Sequence, residues 1–585
     1  MATGQALLNA GRHAEAEAAF RQILAGHPNH PGALHGLGTL ALLRDDPAAA
    51  VPLLALSLRH HHHNAPAFSN LCAALRQLNR LPEAATAGRE AILLDPGFAP
   101  GHGNLASVLL DQHAFAEAEA PLRRYIALVP DCTEQRFQLA VALMSCQRQA
   151  EAEPVLRDLL RLTPDDGRAL ANLGVVLKNQ NRTAEAIAAY RRAMVLMPGE
   201  AGLLNNLGLA LSQLDDRATE AALWLRRALA LWPDYADAWL NLGLLMRTRN
   251  RIEAAQEHCR TALRHRPDHA EAHTLLATCL LLKGDMAAGF AEYEWRTRLK
   301  DFAARPRIRT TPAWTGDDPA GRTILVHDEQ GLGDGIQFAR FAPLLHDRGA
   351  RVVVECHDLL VGLFGTLPNV AAVVGRGSPT RPAHDAHAAL LSLPHLLGLT
   401  TLPDTVPYLR PDPGRVEHWR PRLGPQRGLR VGLVWAGNPE FKDDRRRSPG
   451  LAALLPLLDV PGVTFFALQK GAGRADLEAL KPRLGPNLTD LGPEIGDFVD
   501  TAAIMAGLDL VISSCTAPPH LAGALGRPVW LVLPYSADWR WLAHGDGSPW
   551  YPTARLFRQD RPGDWASVVG RVRAALVQAV TTAAR

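Results

Sequence analysis

The chain has 585 residues, enough for more than two domains or for a repeat array joined to a globular part. Its charge is nearly balanced, with 62 Lys and Arg against 59 Asp and Glu, so the overall composition does not favour nucleic acid or a membrane surface as a partner. Seven cysteines without a CxxC pair argue against a disulfide framework and a structural zinc site, and they indicate a reduced compartment.

Targeting signals are also missing from the sequence. The first residues have amphipathic helical spacing instead of a basic segment followed by an apolar core, so we expect no signal peptide. No stretch is apolar for the ~18 residues that a membrane helix needs. We therefore expect a cytoplasmic protein without a membrane span.

The first half of the chain is an internal repeat. Prolines at 28, 96, 130, 164, 198, 233 and 267 are separated by 68, 34, 34, 34, 35 and 34 residues. Small residues suited to close helix packing keep the same period, at Gly4, Gly38, Cys72, Ala106, Ala140, Gly174, Gly208, Gly243 and Ala277. The pattern resembles the tetratricopeptide repeat and predicts an α-solenoid, a superhelix of about nine helix pairs over residues 1–298.

Amide side chains recur two residues before the small packing residue in most of these repeats, and we call them the amide ladder. A carboxamide offers a donor and an acceptor, so a row of them can hold a peptide backbone without reading its side chains. The alternative is that each amide makes hydrogen bonds within its own repeat. The repeat array of the eukaryotic O-linked N-acetylglucosamine transferase carries a similar ladder, and this resemblance favours acceptor binding. The ladder comprises Asn70, Asn104, Gln138, Asn172, Asn206 and Asn241.

The helical pattern stops after Trp295, and we assign a linker to residues 299–321. Strands then alternate with helices, which predicts two Rossmann-like halves at 322–412 and 413–585. The predicted strands lie at 323–329, 351–356, 371–375, 388–393, 429–437, 463–470, 508–513 and 528–533. A helix from Asp564 to about Val580 is expected to pack on the second sheet. Such a double-Rossmann α/β domain is the architecture of GT-B glycosyltransferases.

The stretch from Leu508 to Pro528 predicts an anion site. A buried strand runs directly into a helix whose first turn contains Pro518 and Pro519, with Thr516 as the N-cap candidate. Unpaired N–H groups and the positive end of the helix dipole would then face a ligand such as a diphosphate. An ordinary strand-turn-helix without a ligand is the alternative.

The motif at Gly331 to Asp334, GLGD, is a second candidate site. It follows a strand and precedes an amphipathic helix, but Ile336 stands where a dinucleotide fingerprint needs glycine. Asp334 could take a proton from an acceptor hydroxyl, or it could favour the helix dipole from the first turn. The sequence physics leaves both open.

Five stretches together resemble the heptosyltransferase-like glycosyltransferases of family 9, especially the bacterial branch that carries tetratricopeptide repeats. They are GLGDGIQFARFAPLL, VGLVWAGNP, FFALQKG, DFVDTAAIMAGLDLVIS and HLAGALGRPVWLVLP. The resemblance implies that Asp334 is the catalytic base and that a basic residue after the VGLVWAG strand contacts the donor phosphates. The residues placed with the donor are Gly331, Gly333, Lys442, Arg447, Gln469, Lys470, Thr516, Ala517 and His520.

One departure from the family affects the donor. The family usually has Asp-Thr where this chain has Cys515-Thr516, and that Asp is associated with the donor sugar. The sugar therefore stays open, and we interpret Cys515 as a packing residue. No DxD arrangement stands at a strand end, so we expect metal-independent transfer with a nucleotide-sugar as co-substrate and no other cofactor.

The resemblance implies an inverting glycosyltransferase that modifies Ser or Thr of a polypeptide held by the repeats, and flagellin is the acceptor it suggests. A glycolipid or lipopolysaccharide transferase is the first alternative. The second is a non-catalytic repeat scaffold with a degenerate transferase domain, which the Cys515 departure keeps open.

Overall fold

The computed structural model describes residues 1–303, 311–426, 428–441 and 444–583. The chain divides into two compact units, Met1–Pro233 and Asp234–Arg585. Among the helices of the described ranges, none combines the length and the apolarity needed to cross a membrane.

The first unit is a solenoid of helix pairs, seven within residues 1–233. Glycines at the predicted packing positions let the helices of a pair approach: a Cβ on Gly174 would lie 2.5 Å from the Tyr190 ring, and one on Gly208 would lie 2.7 Å from Leu225 Cγ. The pairs are Ala2–Asn9 with His13–Gly26, Pro31–Leu43 with Pro47–His60, Ala65–Gln77 with Leu81–Leu94, Ala99–Asp111 with Phe115–Leu128, Glu134–Ser145 with Gln149–Leu162, Gly167–Asn179 with Thr183–Leu196, and Ala201–Ser212 with Ala218–Leu231.

The turn inside each repeat has its own conformational signature. Residues at φ between 54° and 62° end the first helix of six pairs. They allow the chain to leave the helix through the left-handed region. Five stand 34 residues apart from one to the next: Asp45, Asn79, His113, Gln147 and Asn181.

The second unit begins with two further helix pairs. These are Ala236–Thr248 with Ile252–His265 and Ala270–Leu282 with Met286–Tyr293, followed by a short 3-10 segment, Glu294–Arg298, and Lys300–Ala303. Within residues 1–303 the structure thus has nine helix pairs, and the last two belong to the same compact unit as the α/β region.

The later part of the predicted linker is packed against the first sheet. Residues 304–310 lie outside the described ranges. Trp314 is 2% exposed, and its backbone N–H donates to the carbonyl of His387 at 2.8 Å. The indole also donates to the carbonyl of Asp317 at 2.9 Å.

The first sheet has four parallel strands in the order β3-β2-β1-β4. The predicted strand at 388–393 is partly wrong, because the strand runs from Ala386 to Ala389 and the chain then turns helical, with Pro394 in the first turn of a helix. The strands are β1 Thr323–His327, β2 Arg351–Cys356, β3 Ala372–Gly375 and β4 Ala386–Ala389, and the helices are Leu332–Phe338, Ala342–Asp347, Val361–Phe364 and Leu393–Leu396.

The second sheet has six parallel strands in the order β10-β9-β8-β5-β6-β7. The closing helix packs on it as predicted, through Val568, Val572 and Leu576 against Val431 and Phe465. Its strands are β5 Leu429–Val434, β6 Val463–Ala467, β7 Leu488–Asp490, β8 Leu510–Ser514, β9 Val529–Leu533 and β10 Ala554–Arg558, and its helices are Pro413–Leu423, Asp444–Arg447, Leu451–Leu458, Ala475–Leu480, Phe498–Ala506, Ala517–Ala524 and Trp565–Ala583.

A single hydrophobic core joins the last repeat to both halves of the α/β region. Phe290 of the last repeat packs edge-on against Phe338 of the first half and Trp539 of the second, with both pairs of ring centroids 6.0 Å apart. Trp550 lies 5.9 Å from Trp539 and completes the group. The two halves and the last repeat therefore share one folded interior within the second unit.

Candidate functional site

The site is formed where loops at the carboxyl ends of β1, β5, β8 and β9 meet, the usual ligand position in parallel α/β sheets. The helix Leu332–Phe338 of the first half approaches the helix Ala517–Ala524 of the second. Gly333 allows the contact, since a Cβ there would lie 3.1 Å from His520 Cδ2 and 3.3 Å from Ala517 Cα. The two motifs that the sequence singled out are neighbours.

Asp334 makes contacts in both halves. Its Oδ2 accepts the backbone N–H of Gly331 at 2.9 Å, which caps the first turn of its own helix. Its Oδ1 accepts from Nη2 of Arg540 at 2.5 Å, and the side chain is 21% exposed. The helix-terminus role weighed from the sequence is therefore present. These contacts use two of the four acceptor positions of the carboxylate and leave two that could take a proton. The role of base stays a prediction.

Arg540 is the residue that sequence reasoning missed. Besides Asp334, it donates through Nη1 to Asp538 Oδ1 at 2.9 Å and through Nε to Gln337 Oε1 at 2.7 Å, and its guanidinium lies 4.2 Å from the Trp539 ring. Burial opposes the charge, but the Asp538 and Asp334 carboxylates outweigh it and raise the pKa of Arg540. The available signal was a basic residue in the loop after β9, at the sheet edge where ligands bind.

The connection from β8 to the next helix contains polar groups without partners. Among the described residues, the hydroxyls of Ser514 and Thr516 are buried and make no hydrogen bond. Thr516 occupies the predicted N-cap position, but its side chain makes no capping hydrogen bond to the helix. Buried hydroxyls of this kind normally have a partner, so they mark a place where a ligand could supply one.

Cys515, between these two hydroxyls, is a packing residue. Its Sγ accepts from Nε1 of Trp541 at 3.0 Å, and burial raises the pKa of the thiol to about 11. A buried thiol that stays protonated is not a nucleophile.

The helix Ala517–Ala524 offers fewer anion-binding groups than its position suggests. Pro518 and Pro519 occupy its second and third positions and have no backbone N–H. Two of the four usual free donors of a helix start are therefore missing, and the N–H groups of Thr516 and Ala517 are left together with the helix dipole.

Arg447 lies beside this connection, and its predicted contact with donor phosphates stays a prediction. A Cβ on Gly437, in the loop after β5, would be 2.9 Å from Arg447 Nη2 and 3.0 Å from Thr516 Cγ2. The guanidinium is held through Nε by Asp444 Oδ1 at 3.0 Å and lies 4.4 Å from the Phe441 ring. Lys442, the other predicted phosphate contact, lies outside the described residues.

His520 is buried between the two halves. Its Nδ1 is 3.1 Å from the Tyr551 hydroxyl, and its ring stacks on Trp541 with centroids 5.1 Å apart. Burial lowers the pKa of His520 to about 3. Any contact of His520 with a ligand is therefore made by a neutral imidazole at pH 7.

Gln469 and Lys470 are occupied by backbone groups. The Gln469 Oε1 accepts from the N–H groups of Trp435 and Ala436, and Nε2 donates to the carbonyls of Ala436 and Lys470, all at 2.9–3.0 Å. Both acceptor positions and both N–H groups of the Gln469 amide are used, so none is left for a nucleotide-sugar. Lys470 Nζ donates to the carbonyls of Gly492 and Ile495, so both side chains fix loops around the site in this structure.

The rungs of the amide ladder differ from one another. The Nδ2 of Asn70 contacts Thr39 Oγ1 at 3.0 Å, and that of Asn104 donates to Ser69 Oγ at 2.9 Å, so these two tie neighbouring repeats together. The Gln138 Oε1 is buried and finds no hydrogen-bond partner among the residues that the structure describes.

The later rungs differ in whether their side chains have interactions within the protein. Among the described residues, no hydrogen bond is found for the side chains of Asn172 and Asn206, which are half-buried. Asn241 lies in the second unit and has an interaction of its own. Asn172 and Asn206 are therefore the rungs whose partly exposed amides make no hydrogen bond within the described residues.

No metal site is evident in the described parts of the chain, where no three His, Cys, Asp or Glu side chains come together as a group of ligands.

Comparisons with known proteins identify the repeats. Two family models, both described as tetratricopeptide repeat, match the chain, one at residues 7–75 and 213–279 and the other at residues 137–201. The chain therefore contains tetratricopeptide repeats in its N-terminal region.

One curated relative, Protein FlbA of Caulobacter vibrioides, is 33% identical over 394 residues. The match covers 59% of this chain and 62% of that protein, so the chain spans less than two thirds of its relative's length.

Solved structures resemble the chain at low overall similarity. YrrB, described as a tetratricopeptide-repeat protein with an unusual peptide-binding site, is 20% identical over 32% of this chain and 95% of its own, with a TM-score of 0.30. The Cut9–Hcn1 complex is 19% identical over 46% of this chain and 52% of that one, with a TM-score of 0.34. Pseudomonas aeruginosa PilF is 20% identical over 36% and 96%, with a TM-score of 0.31.

Proposed function

We propose that the chain is a glycosyltransferase that moves a sugar from a nucleoside-diphosphate donor to a Ser or Thr hydroxyl of a polypeptide bound by the repeats. The observation that carries the proposal is the meeting of the Asp334 helix with the β8 connection through Gly333. A candidate base and a candidate phosphate seat then face one region between two parallel sheets, at their carboxyl edges.

The donor would lie over the β8 connection. Arg447 supplies a guanidinium beside Thr516, and the unpaired hydroxyls of Ser514 and Thr516 supply hydrogen-bond donors to phosphate oxygens. With two prolines in the first helical turn, these side chains carry more of the diphosphate binding than the helix terminus does.

The reaction is an inverting displacement. Asp334 takes the proton of the acceptor hydroxyl as its oxygen forms a bond to the anomeric carbon. The bond from that carbon to the donor phosphate breaks, and the electron pair leaves with the nucleoside diphosphate. Arg447 and the N–H of Ala517 stabilise the negative charge that develops there.

The acceptor would lie along the amide ladder, with Asn172 and Asn206 as its contacts. Both side chains are half-buried and make no hydrogen bond among the described residues, so their amides can pair with the backbone of an extended peptide. Flagellin remains the acceptor that the family resemblance suggests.

A non-catalytic scaffold is the second candidate, because Asp334 is already held by Arg540 and Gly331. Both candidates predict acceptor binding, but only the transferase modifies the acceptor.

Intact-mass spectrometry of flagellin co-expressed with the wild-type chain or with Asp334→Asn decides between them. A hexose- or heptose-sized increase with the wild type alone supports transfer. An unmodified flagellin that co-purifies with the chain supports the scaffold, and modification of an extracted glycolipid supports the lipid alternative.

A further inference from the structure

The loop after β9 connects Asp334 to the last two repeats. Asn250 Nδ2 donates to the carbonyl of Tyr535 at 2.5 Å, and the N–H of Ala543 donates to the carbonyl of Leu282 at 2.9 Å. The segment from Tyr535 to Ala543 is therefore fixed at both ends by residues at or just after the carboxyl ends of the first helices of these repeats. Between them, Trp539 packs on Phe290 of the last helix pair.

Arg540, at the centre of this loop, has its own position fixed on three sides. Asp538 and Gln337 each accept one of its N–H groups, and Trp539 covers the guanidinium face. The Nη2 that remains is directed at Asp334 Oδ1. A planar guanidinium held in this way imposes a direction on the carboxylate that a flexible ammonium does not.

We infer that Arg540 is a positioning residue for Asp334, acting through the carboxylate and not on the substrate; this inference rests on the proposed function. Arg540 holds Oδ1 while the Gly331 N–H holds Oδ2, so rotation of the carboxylate is restricted from both sides. The two unused acceptor positions then keep a constant direction toward the acceptor hydroxyl.

A second buried arginine provides a control that distinguishes positioning of Asp334 from a purely structural contact between the halves. Arg340 also joins the two halves, donating to the carbonyl of Trp550 at 2.9 Å and to the Tyr408 hydroxyl at 3.3 Å, and it makes no contact with Asp334. Arg340→Lys is therefore the matched control for Arg540→Lys, because each variant replaces a buried guanidinium between the two halves with an ammonium group.

The test uses four full-length variants, Arg540→Lys, Arg340→Lys, Asp334→Asn and the double variant Asp334→Asn/Arg540→Lys. Release of nucleoside diphosphate is measured with UDP-N-acetylglucosamine, UDP-glucose and GDP-mannose as probes, alongside thermal unfolding. Arg540→Lys is expected to lower kcat by about 10²-fold with KM little changed, since a displaced reacting group can cost that much. Arg340→Lys is expected to lower the unfolding midpoint without this loss of kcat.

The double variant gives the decisive comparison. If Arg540 acts through Asp334, the double variant is no slower than Asp334→Asn alone, because the group being positioned is already gone. Additive losses, or an Arg540→Lys enzyme with wild-type kcat, overturn the inference and leave the proposed function standing. A wild-type chain that turns over none of the probes and leaves flagellin unmodified contradicts the proposed function, and the inference falls with it.

Discussion

Arg447 and Thr516 both lie next to the position that a side chain of Gly437 would occupy, and the missing side chain leaves room for both. A methyl group at Gly437 would be 2.9 Å from Arg447 Nη2, 3.0 Å from Thr516 Cγ2 and 2.3 Å from Asp444 Oδ1. Residues more than 60 positions apart in the chain thus form one polar corner, next to the two unpaired hydroxyls.

Arg447→Ala should weaken donor binding. The change removes a charge-assisted phosphate contact worth about 1.5–3 kcal/mol, which corresponds to roughly a 10- to 100-fold higher Kd. Calorimetric titration with a nucleotide-sugar measures the effect. Arg445→Ala is the control, since Arg445 is exposed on the same short helix. Equal affinities for wild type and Arg447→Ala would show that the arginine is solvated and unrelated to the donor.

Asp334→Asn should abolish transfer and leave donor affinity nearly intact. Loss of a general base lowers the rate by about 10²- to 10⁴-fold, whereas the donor contacts are on the other half. The asparagine can still accept the Gly331 N–H, so the helix cap is retained. Single-turnover rates together with donor titration test this prediction, and undiminished transfer would remove Asp334 from the mechanism.

The repeat prediction and most strand predictions succeeded because periodicity is local information, whereas β7 and β10 were not predicted. The 34-residue spacing of prolines and small residues placed each helix pair, and apolar runs such as the one predicted at 508–513 placed strands. Gly333 was recognised from the sequence as part of a motif. Why this position needs a glycine, which is the close approach of Ala517, became clear only from the fold.

The contacts of the site could not be predicted in the same way. The Arg540–Asp334 pair joins residues 206 positions apart, and no local pattern indicates which side chain of a distant loop reaches the carboxylate. Gln469 was assigned to the donor from the family motif, but two backbone segments saturate its amide. Thr516 holds the N-cap position, yet among the described residues its hydroxyl makes no hydrogen bond, because Pro518 and Pro519 have no backbone N–H that it could accept.

Acid should destabilise the second unit through His520. Its folded-state pKa of about 3 lies below the usual value near 6.5, so the unfolded chain binds a proton that the folded chain excludes. The free energy of unfolding is therefore highest above pH 6.5 and falls as the pH decreases toward 3. At pH 5 it should be lower by about 2 kcal/mol.

The matched variant for this pH effect is His520→Asn, which does not titrate and can keep a hydrogen bond to Tyr551. Its unfolding midpoint should fall less between pH 8 and pH 5 than that of the wild type, as followed by circular dichroism. The charges that act on His520, those of Arg540, Asp538, Arg340 and Arg447, are the same in both proteins. Identical pH dependence would mean that His520 is not the group responsible.

The amide ladder predicts a difference between its central and its early rungs. Asn172→Ala with Asn206→Ala removes two amides that make no hydrogen bond within the described residues, so the repeats should stay folded, because alanine is the better helix former. Acceptor binding should fall roughly 10- to 100-fold, since each lost hydrogen bond is worth about 0.5–1.5 kcal/mol.

Asn70→Ala with Asn104→Ala is the matched pair, and it should instead lower the unfolding midpoint, because these amides bond to the preceding repeat. Circular dichroism and the rate of acceptor modification separate the two effects. A folded Asn172/Asn206 double variant that modifies its protein acceptor at the wild-type rate would show that the ladder does not hold the substrate, and would favour the glycolipid acceptor.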